Sequence, residues 1–158
     1  MTHVRKPKSF KDLVLGLLLV AALGVVAYCI ADLLKTEITP GDIVVKSGDV
    51  EITALQRVTA EQRKDGSAVD GVRFDIETDS ADFPVLHMDK GIVLEATQDP
   101  WGDMYYTVYR SDYSELYYRS IFFSYPEESG TYYIVIDTAW GGKDHYFTTQ
   151  HGFTLIID

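Results

Sequence analysis

The sequence predicts a β-sandwich domain carried behind one transmembrane helix. Three observations predict it: a long uncharged apolar run near the N-terminus, a later change to period-two alternation with aromatic-rich runs, and one cysteine in 158 residues. The apolar run is the clearest. Leu13 to Ala31 reads LVLGLLLVAALGVVAYCIA, nineteen residues without a charge. At about 1.5 Å per helical residue it spans about 28 Å, close to the ~30 Å hydrocarbon thickness of a bilayer. A soluble core helix of that length would carry a polar stripe, and this run has none. Lys11-Asp12 and Asp32 lie only at its ends.

The flanks set an orientation. Arg5, Lys6, Lys8 and Lys11 precede the run, whereas Lys35 and Lys46 follow it among Asp32, Glu37 and Asp42. Basic residues stay on the cytoplasmic side, so the N-terminus is expected inside and the rest of the chain outside. Two other fates compete. Val25-Val26-Ala27 offers the small residues of a signal-peptidase site, and Val26-Ala27-Tyr28-Cys29 approximates a lipoprotein box with a bulky Tyr where a small residue belongs. Signal-peptide apolar regions usually hold about 7–15 residues, and this one continues to Ala31. An uncleaved anchor is therefore expected: residues 1–12 a basic cytoplasmic tail, 13–31 the span held in membrane lipid, 32–42 a stalk and 43–158 the outer domain.

From Asp32 onward ten Lys/Arg stand against 23 Asp/Glu, a formal charge of −13. That argues against a nucleic-acid partner, whose phosphates need Lys/Arg, and against lying flat on anionic lipid. An acidic surface also keeps a domain soluble. The single cysteine, Cys29, falls within the apolar run, so the outer domain is stabilised by its core without a disulfide or a cysteine zinc site.

Thr39-Pro40-Gly41 breaks the stalk, and β patterns follow. Val50–Val58 reads as a strand, and Glu61–Gly71 (EQRKDGSAVDG) as a turn or hairpin loop. Val72, Phe74 and Ile76 alternate with Arg73, Asp75 and Glu77, which predicts a half-buried strand. Ile92–Ala96, Asp103–Arg110, Glu115–Phe123, Thr131–Ala139 and Gly152–Ile157 are further strands. Asp112-x-x-Glu115 has capping-box spacing, but the Tyr and Phe around it favour a strand.

Glu128-Ser-Gly-Thr-Tyr-Tyr-Ile134 resembles the start of strand F in immunoglobulin-like domains. The resemblance implies an immunoglobulin-like antiparallel sandwich in which Tyr132 is the tyrosine corner, its hydroxyl bonded to upstream backbone, and Ile134 takes the place of the usual cysteine. It covers about 30 residues, Tyr125 to the C-terminus. The chain also resembles membrane-anchored or lipoprotein ectodomains of Gram-positive bacteria, which implies a location and a fold but supplies no activity.

Catalytic patterns are missing. No Gly-x-Ser-x-Gly elbow, phosphate loop or His-Glu-x-x-His occurs, and the outer domain has no thiol. An enzyme is not expected, and no cofactor is assigned. Asp75, Glu77 and Asp79, with Asp82 behind, would share one face of a strand and supply oxygen ligands suited to Ca²⁺, although no EF-hand pattern is present and solvated charge is the plainer reading. His87, His145 and His151 are scattered imidazoles that would bind a transition metal only if they converge. Nine tyrosines lie between Tyr105 and Tyr133, and alternation would bury one of each Tyr-Tyr pair. The stretch Trp140–His151 (WGGKDHYFTTQH) reads as a loop between the last two strands. Trp140, His145 and Tyr146 there, with Trp101 in Asp99-Pro-Trp-Gly102, are the expected contact surface, unless Trp140 plugs the core. A membrane-anchored binding module for a protein or a cell-surface glycan is the expected role. Alternatives are an accessory subunit assembling through Gly16, Ala21, Ala22 and Gly24, and a wall-facing domain stabilised by divalent ions.

Overall fold

The computed structural model describes residues 10–33 and 38–158, which fall into two units divided after Glu37. The basic tail at positions 1–9 and stalk positions 34–37 lie outside the described residues. The first unit holds helix α1 (Phe10–Leu33), 24 residues of FKDLVLGLLLVAALGVVAYCIADL. Its described side chains, Val14 and the thirteen from 16 to 28, are exposed without exception and form no polar face. Among the described residues no helix is long and apolar enough to cross a membrane. The side chains at both ends of the nineteen-residue run, Cys29 included, fall outside that described stretch.

The second unit, Ile38–Asp158, is mostly antiparallel β-structure. Its strands are β1 (Ile43–Ser47), β2 (Val50–Thr53), β3 (Leu55–Gln62), β4 (Ala68–Asp70), β5 (Val85–His87), β6 (Val93–Ala96), β7 (Tyr105–Arg110), β8 (Glu115–Ser120), β9 (Gly130–Gly142) and β10 (His145–Ile157). A three-stranded sheet has the order β2-β1-β6. A seven-stranded sheet has the order β4-β3-β10-β9-β7-β8, with β5 added parallel to β10 beyond the end of β3.

One hairpin organises this unit. β9 and β10 pair from Gly130↔Ile157 to Gly142↔His145, thirteen register pairs closed by Lys143-Asp144. Alternation sends Tyr132, Ile134, Ile136 and Trp140 of β9 into the core, with Phe153, Leu155 and Ile157 of β10. Ile43 and Val45 of β1 join the same cluster, and Ile52, Leu94 and Ala96 pack against it. The small sheet thus covers one face of the hairpin. Each fully buried aliphatic or aromatic side chain contributes about 1.5–3 kcal/mol.

The hairpin's other face is also partly covered. Helix α2 (Ile76–Asp79) and a 3-10 turn (Ser80–Asp82) lie in a crossing segment, 71–84. Phe83 sits over Gly152, where a Cβ would meet its ring. Gln150 accepts the Phe74 N–H at 2.7 Å and donates to Asp137 at 3.1 Å. Burial from both sides explains why β10 reads as a nearly continuous apolar run (HGFTLII) instead of an alternation.

Three expectations are corrected here. The strand over Val72–Glu77 is absent: Val72 is exposed, and Asp75 caps α2 by accepting the Glu77 N–H. Short local bonds to Asp75 and Asp79 outcompete a ladder that has no neighbouring strand to pair with. The contact loop Trp140–His151 is not a loop, because it forms the closed end of the β9–β10 hairpin. Gly141, at φ +109, stands where a Cβ would strike the His145 carbonyl oxygen. The Tyr-Tyr alternation holds for Tyr132/Tyr133 and Tyr105/Tyr106 but fails for Tyr117/Tyr118, both exposed, because β8 is an edge strand.

The end of the expected stalk is built into the domain. Gln56 donates to the Gly41 carbonyl at 2.6 Å, the Asp42 N–H donates to Thr97 Oγ1 at 2.8 Å, and Gly41 faces the Trp140 ring. The Tyr132 hydroxyl donates to the Glu128 carbonyl at 3.1 Å, tying the start of β9 to the turn before it. Tyr132→Phe is expected to lower unfolding free energy by about 1 kcal/mol in urea denaturation, the usual worth of one such bond.

A polar string runs through the core beneath Trp140. Its indole N–H donates to Thr149 Oγ1 at 2.7 Å, and that oxygen lies 2.9 Å from His151 Nε2. His151 is wholly buried, and among the described residues nothing hydrogen-bonds its Nδ1. Burial pushes its pKa down to about 4, against about 6.5 when unfolded. Between those values the unfolded chain binds the extra proton, so stability falls as pH falls from about 6.5 to about 4, by up to about 3 kcal/mol. Asp79 and Glu61, held low by Arg57 and Arg63, add their losses only below about pH 4.5. Thermal denaturation between pH 7 and 4.5 is expected to show this slope, and His151→Leu to flatten it. An unchanged slope in the variant contradicts the assignment.

Candidate functional site: a groove on the outer face of the large sheet

The expected contact residues separate into two groups. Trp140 is 1% exposed and belongs to the core, which corrects its assignment as a surface anchor. Its position alternates inward with Thr138 and Ile136, and the ring fills the space over Gly41. Trp101, by contrast, is 43% exposed, and Tyr146 is half-buried beside it with ring centroids 5.0 Å apart. His145 sits at the hairpin tip, 3.2 Å from Glu61, and packs its ring against Phe147.

The proposed ion ligands do not converge. Asp75 is the α2 cap, and Asp79 accepts two bonds from Arg57, at 2.7 and 2.9 Å. Arg57 holds the Asp79 carboxyl below its ordinary range. With residues 76–79 helical, Asp75, Glu77 and Asp79 lose the shared strand face that suggested Ca²⁺. His87 is exposed on β5, while His151 is buried in the core. Among the described residues no group of three His, Cys, Asp or Glu side chains is placed to hold a metal ion.

The structure instead brings together a groove of about 380 Å³ on the outer face of the seven-stranded sheet. Its floor is made by small residues of central strands: Ala139 on β9 and Thr148 on β10, with Thr59 of β3. The Thr59 and Thr148 hydroxyls lie 3.0 Å apart. One wall is Arg73, from the crossing segment, which donates to Asp137 at 2.6 Å. The opposite rim carries Trp101, Gly102, Asp103, Tyr105 and Arg119.

Two backbone features aim that rim. The Trp101 N–H donates to the Ala139 carbonyl at 2.7 Å, and Gly102 turns the chain at φ +101, where a side chain is disfavoured. Arg119 itself has φ +47, a left-handed conformation uncommon for any residue but glycine. The β7–β8 ladder shifts register between Tyr106 and Val108, opposite Arg119. Such a bulge redirects a side chain, and here the guanidinium lies over the Tyr105 ring, 4.8 Å from its centroid. Among the described residues no carboxylate pairs with Arg119.

Sequence reasoning named Trp101, and Tyr105 as one of the nine tyrosines, but missed Arg73, Asp103, Asp137 and Arg119. They converge through strand order and a bulge, neither of which leaves a local signature. Because Arg119 occupies a conformation suited to glycine, Arg119→Gly is expected to leave stability unchanged or raise it, measured by urea denaturation. Elsewhere in a strand the same change costs about 0.5–1 kcal/mol. A loss above about 1 kcal/mol contradicts the strain. Comparison of the chain with protein-family models, curated proteins and solved structures finds no match.

Proposed function

We propose that this protein is a membrane-anchored, extracytoplasmic binding module whose β-domain presents its ligand groove on the outer face of the large sheet. The observation that carries the binding role is the groove's rim. An indole is left 43% exposed and braced by its neighbours, beside an arginine in a disfavoured backbone conformation. Features that oppose stability gather at working sites, because folding alone does not select them.

Anchoring is supported by chemistry along α1. Nineteen uncharged residues and a helix apolar on every described side would be costly to leave in water and suit a lipid environment. Basic residues before the run and the acidic chain after it support an inside-to-outside orientation. The immunoglobulin-like reading is supported by the Tyr132–Glu128 bond and by the neighbour order β7-β9-β10, which matches strands C, F and G. The second sheet, β2-β1-β6, departs from the usual four-stranded partner sheet. The domain is therefore read as a variant of that architecture.

The test is topological. In intact cells, added protease is expected to remove a C-terminal tag while an N-terminal tag survives in the membrane fraction. Recovery of the full chain in the cytosolic fraction, or a C-terminus shielded from protease, would refute the reading.

A further inference from the structure

We infer that the groove is a saccharide site that takes a neutral, hydroxyl-rich sugar chain; the inference rests on reading this face as the domain's binding surface. The lining carries two guanidinium groups, Arg73 and Arg119, and two carboxylates, Asp103 and Asp137. The chain as a whole has a formal charge of −10, so a charge-balanced groove departs from its surroundings. Arg73 and Asp137 neutralise each other at 2.6 Å, which leaves Arg119 and Asp103 as the groove's free charges: an anionic ligand would meet Asp103 and a cationic one Arg119. Either would leave part of the lining opposed.

A sugar hydroxyl both donates and accepts, and needs both kinds of partner. Guanidinium forks supply paired donors, and carboxylates supply paired acceptors at the spacing of adjacent hydroxyls. The Thr59–Thr148 hydroxyl pair on the floor adds groups that do either. A pyranose ring also has an apolar C–H face, which demands a flat apolar surface. Trp101 provides one, fixed by its backbone bond to Ala139 and by the Tyr146 ring behind it. The volume, about 380 Å³, lies within the roughly 300–1,000 Å³ range of small-molecule sites.

A peptide strand fits less well. β9 lies between β10 and β7, and β10 between β9 and β3, so their ladders are already paired along the groove. The floor offers no sheet edge for strand addition, and the edge at the rim, β8, is interrupted by the register shift at Arg119. Recognition must come from side chains, as it does for sugars.

The two tryptophans make the test direct. Trp140 is buried and Trp101 exposed, so acrylamide quenching reports chiefly on Trp101. The full chain in nanodiscs, free of sugar-headed detergent, would be titrated with chitotetraose, cellotetraose and maltotetraose at millimolar concentration. Tetragalacturonate and tetraalanine serve as acidic and peptide comparisons. At least one neutral tetrasaccharide is expected to blue-shift the emission and protect it from acrylamide. Trp101→Ala is expected to abolish that response, and Arg119→Ala to weaken affinity about tenfold, with melting temperatures unchanged in both. Because Trp101→Ala removes the reporting fluorophore, its binding would be read by calorimetry. Protection by tetragalacturonate or tetraalanine alone would overturn the neutral-sugar assignment while leaving the groove as the binding surface. Protection by no probe would overturn both the assignment and the groove. Either result leaves the membrane topology to stand or fall on the protease experiment.

Discussion

Everything in the β-domain depends on the thirteen-pair ladder between β9 and β10. Each strand of the large sheet attaches to that hairpin directly or through one neighbour: β3 and β5 to β10, β7 to β9, and then β4 and β8. Its inner side chains meet β1 of the small sheet, and its outer face carries the 71–84 segment and the groove. A ladder of this length joins residues close in sequence, so it closes with little loop entropy and then serves as the surface on which distant segments dock. Trp140 closes one end of the core and Tyr132 the other.

The same ladder makes the groove rigid. Ala139 and Thr148 sit on central strands whose backbone groups are paired, so the floor cannot move without breaking the sheet. The rim is where the protein departs from regular structure: a glycine turn beside Trp101 and a bulge at Arg119. A stiff floor with aimed polar and aromatic groups lowers the entropy lost on binding. The acidic remainder of the surface discourages anionic partners at long range. A neutral ligand is untouched by that field.

Legibility in the sequence followed the locality of each cause. Thr131–Ala139 and Gly152–Ile157 were readable as strands because dense β-branched and aromatic runs report burial directly, and both fall within the longer β9 and β10. The strand choice for Glu115–Phe123 agrees with β8 (Glu115–Ser120), while Asp112 accepts from Ser114 in a local turn instead of capping a helix. Residues 72–77 misled because alternation is necessary for a half-buried strand but does not supply a partner; the Asp75 cap then decided in favour of a turn of helix. Trp140–His151 misled because Gly141-Gly142 resembles loop chemistry, whereas burial on both faces let Thr149, Gln150 and His151 continue the ladder. The groove was least legible. Arg73 and Asp137 are 64 residues apart, and only the path of the crossing segment over the sheet joins them.

Native-state hydrogen exchange tests the central claim about the hairpin most directly. The amides of Ile134, Ile136, Phe153 and Leu155 are expected to exchange last, at the rate set by global unfolding, with those of β1 and β6 opening earlier. Slower exchange in the small sheet than in β9 and β10 would contradict the hairpin as the foundation of the domain.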